Sequence, residues 1–171
     1  VKIDEITFWC KKINMSYIRR DLKTAYKTLA RKQKICDKHE VQFRDAVFDA
    51  VGVVVPKGGE YGAFIAYGAD YEKVAQAWKK LKKARAAERE TNAYVAALEF
   101  GDVAKTEYGY DVTPGSEVEA FKDIGVMSKT NIRMCGIATE KEKYDRFVSA
   151  WNAFNKARVE ADKARIEAEK V

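Results

Sequence analysis

Residues 121–161 can be laid on residues 48–88 without a gap, and the two stretches are expected to fold alike. Phe48 returns as Phe121, Val51 as Ile124, Gly52 as Gly125 and Val53 as Val126. Further on, Tyr71, Glu72 and Lys73 return as Tyr144, Asp145 and Arg146. Ala77 and Trp78 become Ala150 and Trp151, Leu81 becomes Phe154, and Lys83, Ala84 and Arg85 become Lys156, Ala157 and Arg158. A tyrosine, an Ala-Trp pair and a Lys-Ala-Arg triplet in fixed register point to an internal duplication.

Both copies carry the same local signals. Val51 to Val55 is a β-branched run, Pro56 to Gly59 a turn, and Tyr61 to Tyr67 a second apolar run, which together predict a hairpin. Asp70 then caps a helix with Tyr71, Val74, Ala77, Trp78 and Leu81 on one face. In the second copy Ile124 to Met127 and Ile132 to Ile137 form the hairpin, and Thr139 with Glu142 makes a capping box. Tyr144, Phe147, Val148, Trp151 and Phe154 supply the apolar stripe. Upstream, Asp37 with Glu40 and Ser116 with Glu119 mark a short helix before each hairpin.

The expectation is an α+β fold in which the duplicated hairpin–helix unit forms a small antiparallel sheet packed by helices, with basic N-terminal helices against it. Residues 1–38 form the basic helical segment, 39–90 the first helix–hairpin–helix repeat, 91–115 connecting strands, and 116–171 the second repeat with a long C-terminal helix, all in one compact domain. The connecting strands rest on Thr106, Tyr108, Tyr110 and Val112 alternating with polar residues; Ala93 to Phe100 reads equally as strand or helix. Ala161 to Val171, rich in Ala, Glu and Lys, is expected to be solvated and to project from the fold.

Charge is concentrated at the beginning. Residues 1–38 hold eleven Lys or Arg against Asp4, Glu5, Asp21 and Asp37, an excess of seven, while the whole chain carries only +6. From Ser16 to Asp37 no Gly or Pro interrupts, and Met15, Ile18, Leu22, Ala25, Leu29 and Cys36 make one apolar stripe. On nearly the opposite side, Arg20, Lys23, Lys27, Arg31, Lys34 and Lys38 gather within about 80°, a ridge about 27 Å long. Such a ridge is either an ordinary solvated face or a surface for a polyanion, whose counterions its cations displace. The repeated Lys83/Arg85 and Lys156/Arg158 would add symmetric cations if a pseudo-twofold relates the copies.

Chemistry is harder to place. Cys10, Cys36, Cys135 and the lone His39 have no metal-ligand spacing, so neither a metal nor a cofactor is expected and the cysteines read as reduced core residues. His39 lies among Asp37, Lys38 and Glu40, a solvated setting, and the glycines after Pro56 have no phosphate-loop spacing. No catalytic residue is assigned. No apolar run reaches membrane-spanning length, and the acids in Val1 to Glu5 do not suit a secretory signal. The sequence thus points to a cytoplasmic, non-enzymatic binding protein that contacts nucleic-acid phosphates. The alternative is a protein-interaction module, an inhibitor, adaptor or assembly component, viral or cellular, whose ridge meets an acidic protein surface.

Overall fold

The computed structural model describes residues 18–113 and 115–170, the side chains of residues 18–20 and Cys135 excepted. Helix accounts for 86% of these residues and none is in a strand, so the expected α+β architecture with its antiparallel sheet is corrected to an all-helical one. The helices are α1 (Ile18–Val51), α2 (Glu60–Tyr67), α3 (Glu72–Tyr108), α4 (Glu117–Cys135) and α5 (Ile137–Glu169).

Each misread segment has a local cause. Asp37 and Glu40 start no new helix: nothing between Ile18 and Val51 breaks the backbone ladder, and the basic segment continues directly into the next stretch. The first hairpin dissolves into three pieces. Val51 closes α1, and Gly52, at φ +70°, turns the chain while its N–H donates to the Phe48 carbonyl at 2.8 Å. That left-handed conformation favours glycine, which has no Cβ to clash. Residues 53–56 run without regular structure to a turn in which Gly59 N–H donates to Pro56 O at 2.9 Å. The second run is α2, in which Glu60, Ala63, Phe64 and Tyr67 face inward at helical spacing. Exposed Tyr61 and Ile65 make α2 apolar all round and hide its period.

The second hairpin is simply α4. Its buried positions are Glu117, Ala120, Ile124 and Ser128, spaced as one helical face, and two of them are polar. An apolar pattern could not reveal that face, while Val126, within the expected hairpin, is 67% exposed. The connecting strands of 91–115 are also corrected. α3 runs to Tyr108, Gly109 at φ +63° ends it, and Val112 alone is buried in the extended stretch that follows. Ala93, Val95, Ala96, Ala97, Leu98 and Phe100 are all buried, so the stretch that read equally as strand or helix is a helix enclosed on most sides.

Helix starts differ from the expected caps too. Thr139 and Glu142 lie inside α5, and Ser116, at the N-cap of α4, turns its hydroxyl to the Thr113 carbonyl at 2.7 Å instead of to the helix. The end of α5 does not project bare into solvent: Ala161 is 1% exposed, and the Lys82 ammonium donates to the carbonyls of Glu167 and Lys170 at 3.1 and 3.0 Å.

Packing divides the described chain into two units. One contains Ala93–Ala157 with the start of α1 as far as Tyr26; the other contains Lys27–Asn92 and the chain from Arg158 onward. The first is centred on aromatic rings: Phe100 stacks on Phe147 with centroids 5.2 Å apart, and Phe121 stacks on Trp151 at 4.7 Å. The second has its own core of Cys36, Phe43, Val47, Val55, Ala63, Val74, Trp78 and Leu81. Here Trp78 stacks on Phe64 at 5.0 Å and meets Phe43 at 5.4 Å. Gly68 belongs to this arrangement, because a side chain there would strike the Phe64 ring.

Candidate nucleic-acid interface

α1 has two unlike faces. Ala25, Cys36, Phe43 and Val47 are buried along one side. Lys23, Lys27, Arg31, Lys34 and Lys38 are exposed along the other, as an amphipathic helix requires. The side chain of Arg20 lies outside the described residues. Lys23 falls in the Trp151 unit and the other four in the Trp78 unit. From Lys27 to Lys38 the rise is about 17 Å at 1.5 Å per residue. Among the described residues none of these five cations enters an ion pair, so their charge is directed at solvent.

The repeated cations are not equivalent. Lys83 and Lys156 are exposed. Arg85 is half-buried with its guanidinium 5.6 Å from the centre of the Trp78 ring, 3.5 Å from Glu40 and 3.9 Å from Glu60. Arg158 is 2% exposed and presents no charge on the surface. The register of the repeat is therefore kept in the chain, while the arginines serve different local purposes.

Sequence reasoning missed the group around Glu60. This carboxylate is 1% exposed and accepts a hydrogen bond from Arg44 at 2.8 Å, with Arg85 on its other oxygen. Two cations around one buried carboxylate supply the compensation that a buried charge demands. The sequence held a faint signal, an acid at the first position of a short apolar helix. Its partners, Arg44 and Arg85, come from two other helices and could not be read locally.

Other titratable groups are shaped by burial. The Cys36 thiol is pushed up from its ordinary value, mainly by burial and then by the Glu40 carboxylate. A raised thiol is a poor nucleophile. Tyr108 is pushed up to about 12, first by burial, with the Glu140 carboxylate adding to it. Tyr26 also rises to about 12, chiefly because its hydroxyl donates to Glu99. Tyr110 rises because its hydroxyl donates to Asp123 at 2.8 Å.

Two hollows among the described residues lie in the Trp78 unit. A groove of about 310 Å³ is lined by Gln42, Asp45, Ala46, Asp49, Ala50 and Lys73. A smaller cleft of about 180 Å³ is bordered by Tyr61, Trp78, Lys82, Arg85, Ala164 and Glu167. Both cations of the cleft are committed, Lys82 to the backbone carbonyls that end α5 and Arg85 to Glu40 and Glu60. His39 is half-buried, Cys36 is buried, and Cys10 lies outside the described residues. Among the described residues no cluster of three or more His, Cys, Asp or Glu is disposed to hold a metal ion. No described helix is long and apolar enough to cross a membrane.

Comparison of the chain with protein-family models, with curated proteins and with solved structures finds no match. The assignment of function therefore rests on the geometry alone.

Proposed function

We propose that this is a non-enzymatic cytoplasmic protein that binds nucleic acid through the phosphate backbone, using the exposed face of α1. The observation that carries the reading is the row Lys27, Arg31, Lys34 and Lys38, exposed on one side of a continuous helix and without ion pairs among the described residues. A rigid helix spaces its cations at fixed intervals, and each phosphate they neutralise releases counterions, so binding is strong at low salt and weak at high salt. Phosphate contacts of this kind position a protein on a strand without reading its sequence. The buried, free Cys36 suits a reducing compartment.

Fluorescence anisotropy with labelled single-stranded, duplex and RNA oligonucleotides tests the proposal. The expected result is binding whose logarithm falls linearly with the logarithm of salt. Neutralising Lys27 and Arg31 together (Lys27→Gln, Arg31→Gln) should lower the slope by about 1.5 to 2, one phosphate contact per cation. No binding at low salt would discard it and leave an acidic protein surface as the partner of the ridge. In that case a few aromatic or arginine side chains should dominate the affinity.

A further inference from the structure

The exposed face of α1 changes sign along its length. Lys34 and Lys38 are followed on the same side by Val41, Asp45 and Asp49, with Phe48 beside them, and all six are exposed. At 100° per residue the first five fall within about 80° of one another, and Phe48 lies about 20° beyond. Among the described residues none of the four charges enters an ion pair. Val41 and Phe48 leave 48% and 53% of their surface to solvent.

The spacing of these residues is symmetric. Lys38 and Asp45 stand equally far from the point between Val41 and Gln42, and so do Lys34 and Asp49. A face whose opposite charges are mirrored about one point is complementary to itself when turned through half a circle, which is the condition for an interface between identical surfaces. We propose that the protein pairs with a second copy of itself through this face, the two α1 helices lying antiparallel about a twofold axis beside Val41.

In that arrangement Lys38 meets the partner's Asp45 and Lys34 meets the partner's Asp49, each twice by symmetry. Val41 faces the partner's Val41 across the axis. A parallel pairing would set like charges side by side, so the same face that attracts in one orientation repels in the other. The groove of about 310 Å³ beside Asp45 and Asp49 also holds Lys73, so the incoming lysines approach the two aspartates from the Val41 side. Lys27 and Arg31 lie outside the seam, since the positions opposite them fall beyond Val51, where the helix ends. Pairing occupies Lys34 and Lys38 and leaves Lys27 and Arg31 to carry the phosphate binding, so each proposal is tested on its own residues.

A seam of one helix on each side is smaller than a standard interface, so the expected association is in the micromolar to millimolar range and weakens with salt. Sedimentation equilibrium of the full chain at low and high salt tests this. Two charge-reversed variants sharpen it: Lys34→Glu with Lys38→Glu, and Asp45→Lys with Asp49→Lys. Each alone places like charges opposite one another and should self-associate about tenfold more weakly or worse. Mixed in equal amounts, they restore every opposite-charge pair and should form a heterodimer. That recovery also shows that both variants are folded, which circular dichroism checks independently. A native chain that stays monomeric at low salt overturns the proposal. So does a variant that dimerises alone as well as the native chain, or a mixture of folded variants that fails to associate.

Discussion

Trp78 and Trp151 occupy the same place in the sequence repeat and end in unlike surroundings. Trp78 is 3% exposed, walled by Phe43, Phe64 and Tyr61, with Arg85 over its ring. Its indole N–H is buried without an acceptor among the described residues. Trp151 is half-buried and meets the rings of Phe100, Phe121 and Phe154. The helical stripe itself recurs faithfully, for Val74 and Phe147 are buried, as are Leu81 and Phe154. What differs is the cover. In one unit it is a short helix held by Glu60 and two arginines; in the other it is α4 with its own aromatic residue, Phe121. A repeated apolar stripe thus specifies one face of a helix and leaves open what is laid upon it.

The sharpest way to break this comparison is to remove each tryptophan. Trp78→Ala should cost about 3 to 5 kcal/mol, because the site is enclosed and cannot collapse freely, whereas Trp151→Ala should cost roughly half as much. Urea denaturation of both variants would show it; equal losses would mean that the two clusters are energetically interchangeable.

Alkali should separate the units next. Tyr108 and Tyr26, both in the Trp151 unit, have folded pKa values of about 12 against an ordinary 10.0. Both are raised in the folded state, so their contribution is fully present below pH 10 and is lost as pH climbs from 10 towards 12. Tyr108→Phe should flatten the decline in stability over that window, followed by denaturation at several pH values. An unchanged profile would assign the alkaline loss to other groups.

A smaller contrast lies in the paired glycines. Gly52 sits at φ +70° where α1 ends, while Gly125 is inside α4, its Cβ position facing Tyr144 Oη at an ordinary 3.7 Å. Gly52→Ala should therefore destabilise by about 1 kcal/mol and Gly125→Ala should stabilise by about 0.5 to 1 kcal/mol. Opposite signs at aligned positions would confirm, by thermal denaturation, that the repeat does not extend into these segments.

The smallest effect on stability is expected at the basic face. Lys27→Gln with Arg31→Gln removes exposed, unpaired charges, so unfolding should shift by less than about 0.5 kcal/mol even though oligonucleotide binding weakens. A large loss of stability would mean that these side chains hold the fold together.

The pattern of success in reading the chain follows from what each signal measures. The amphipathic run before Asp37 was legible because its buried and charged residues lie on opposite sides of a single helix. α4 was illegible because Glu117 and Ser128 occupy its buried face, so the apolar residues alone never showed a helical period. α2 failed for the opposite reason, being apolar on every side. Caps inferred at Asp37 and Thr139 misled because a capping residue also fits inside a helix when nothing else stops the chain. In the candidate site, the cations were visible while Asp45 and Asp49 passed unnoticed, since their meaning depends on α1 running unbroken past residue 38.

Lys82 reaches the end of α5 and donates to the carbonyls of Glu167, which also accepts the Lys170 N–H, and of Lys170, just past the helix. Its ammonium group supplies three donors, and acetylation would remove both the charge and most of that capacity. The closing turn of α5 is thus tied, beyond its own ion pairs, to the chemical state of an amine on another helix. Modification of that amine should appear as faster amide exchange near residue 170, long before any change reaches the core of the Trp78 unit.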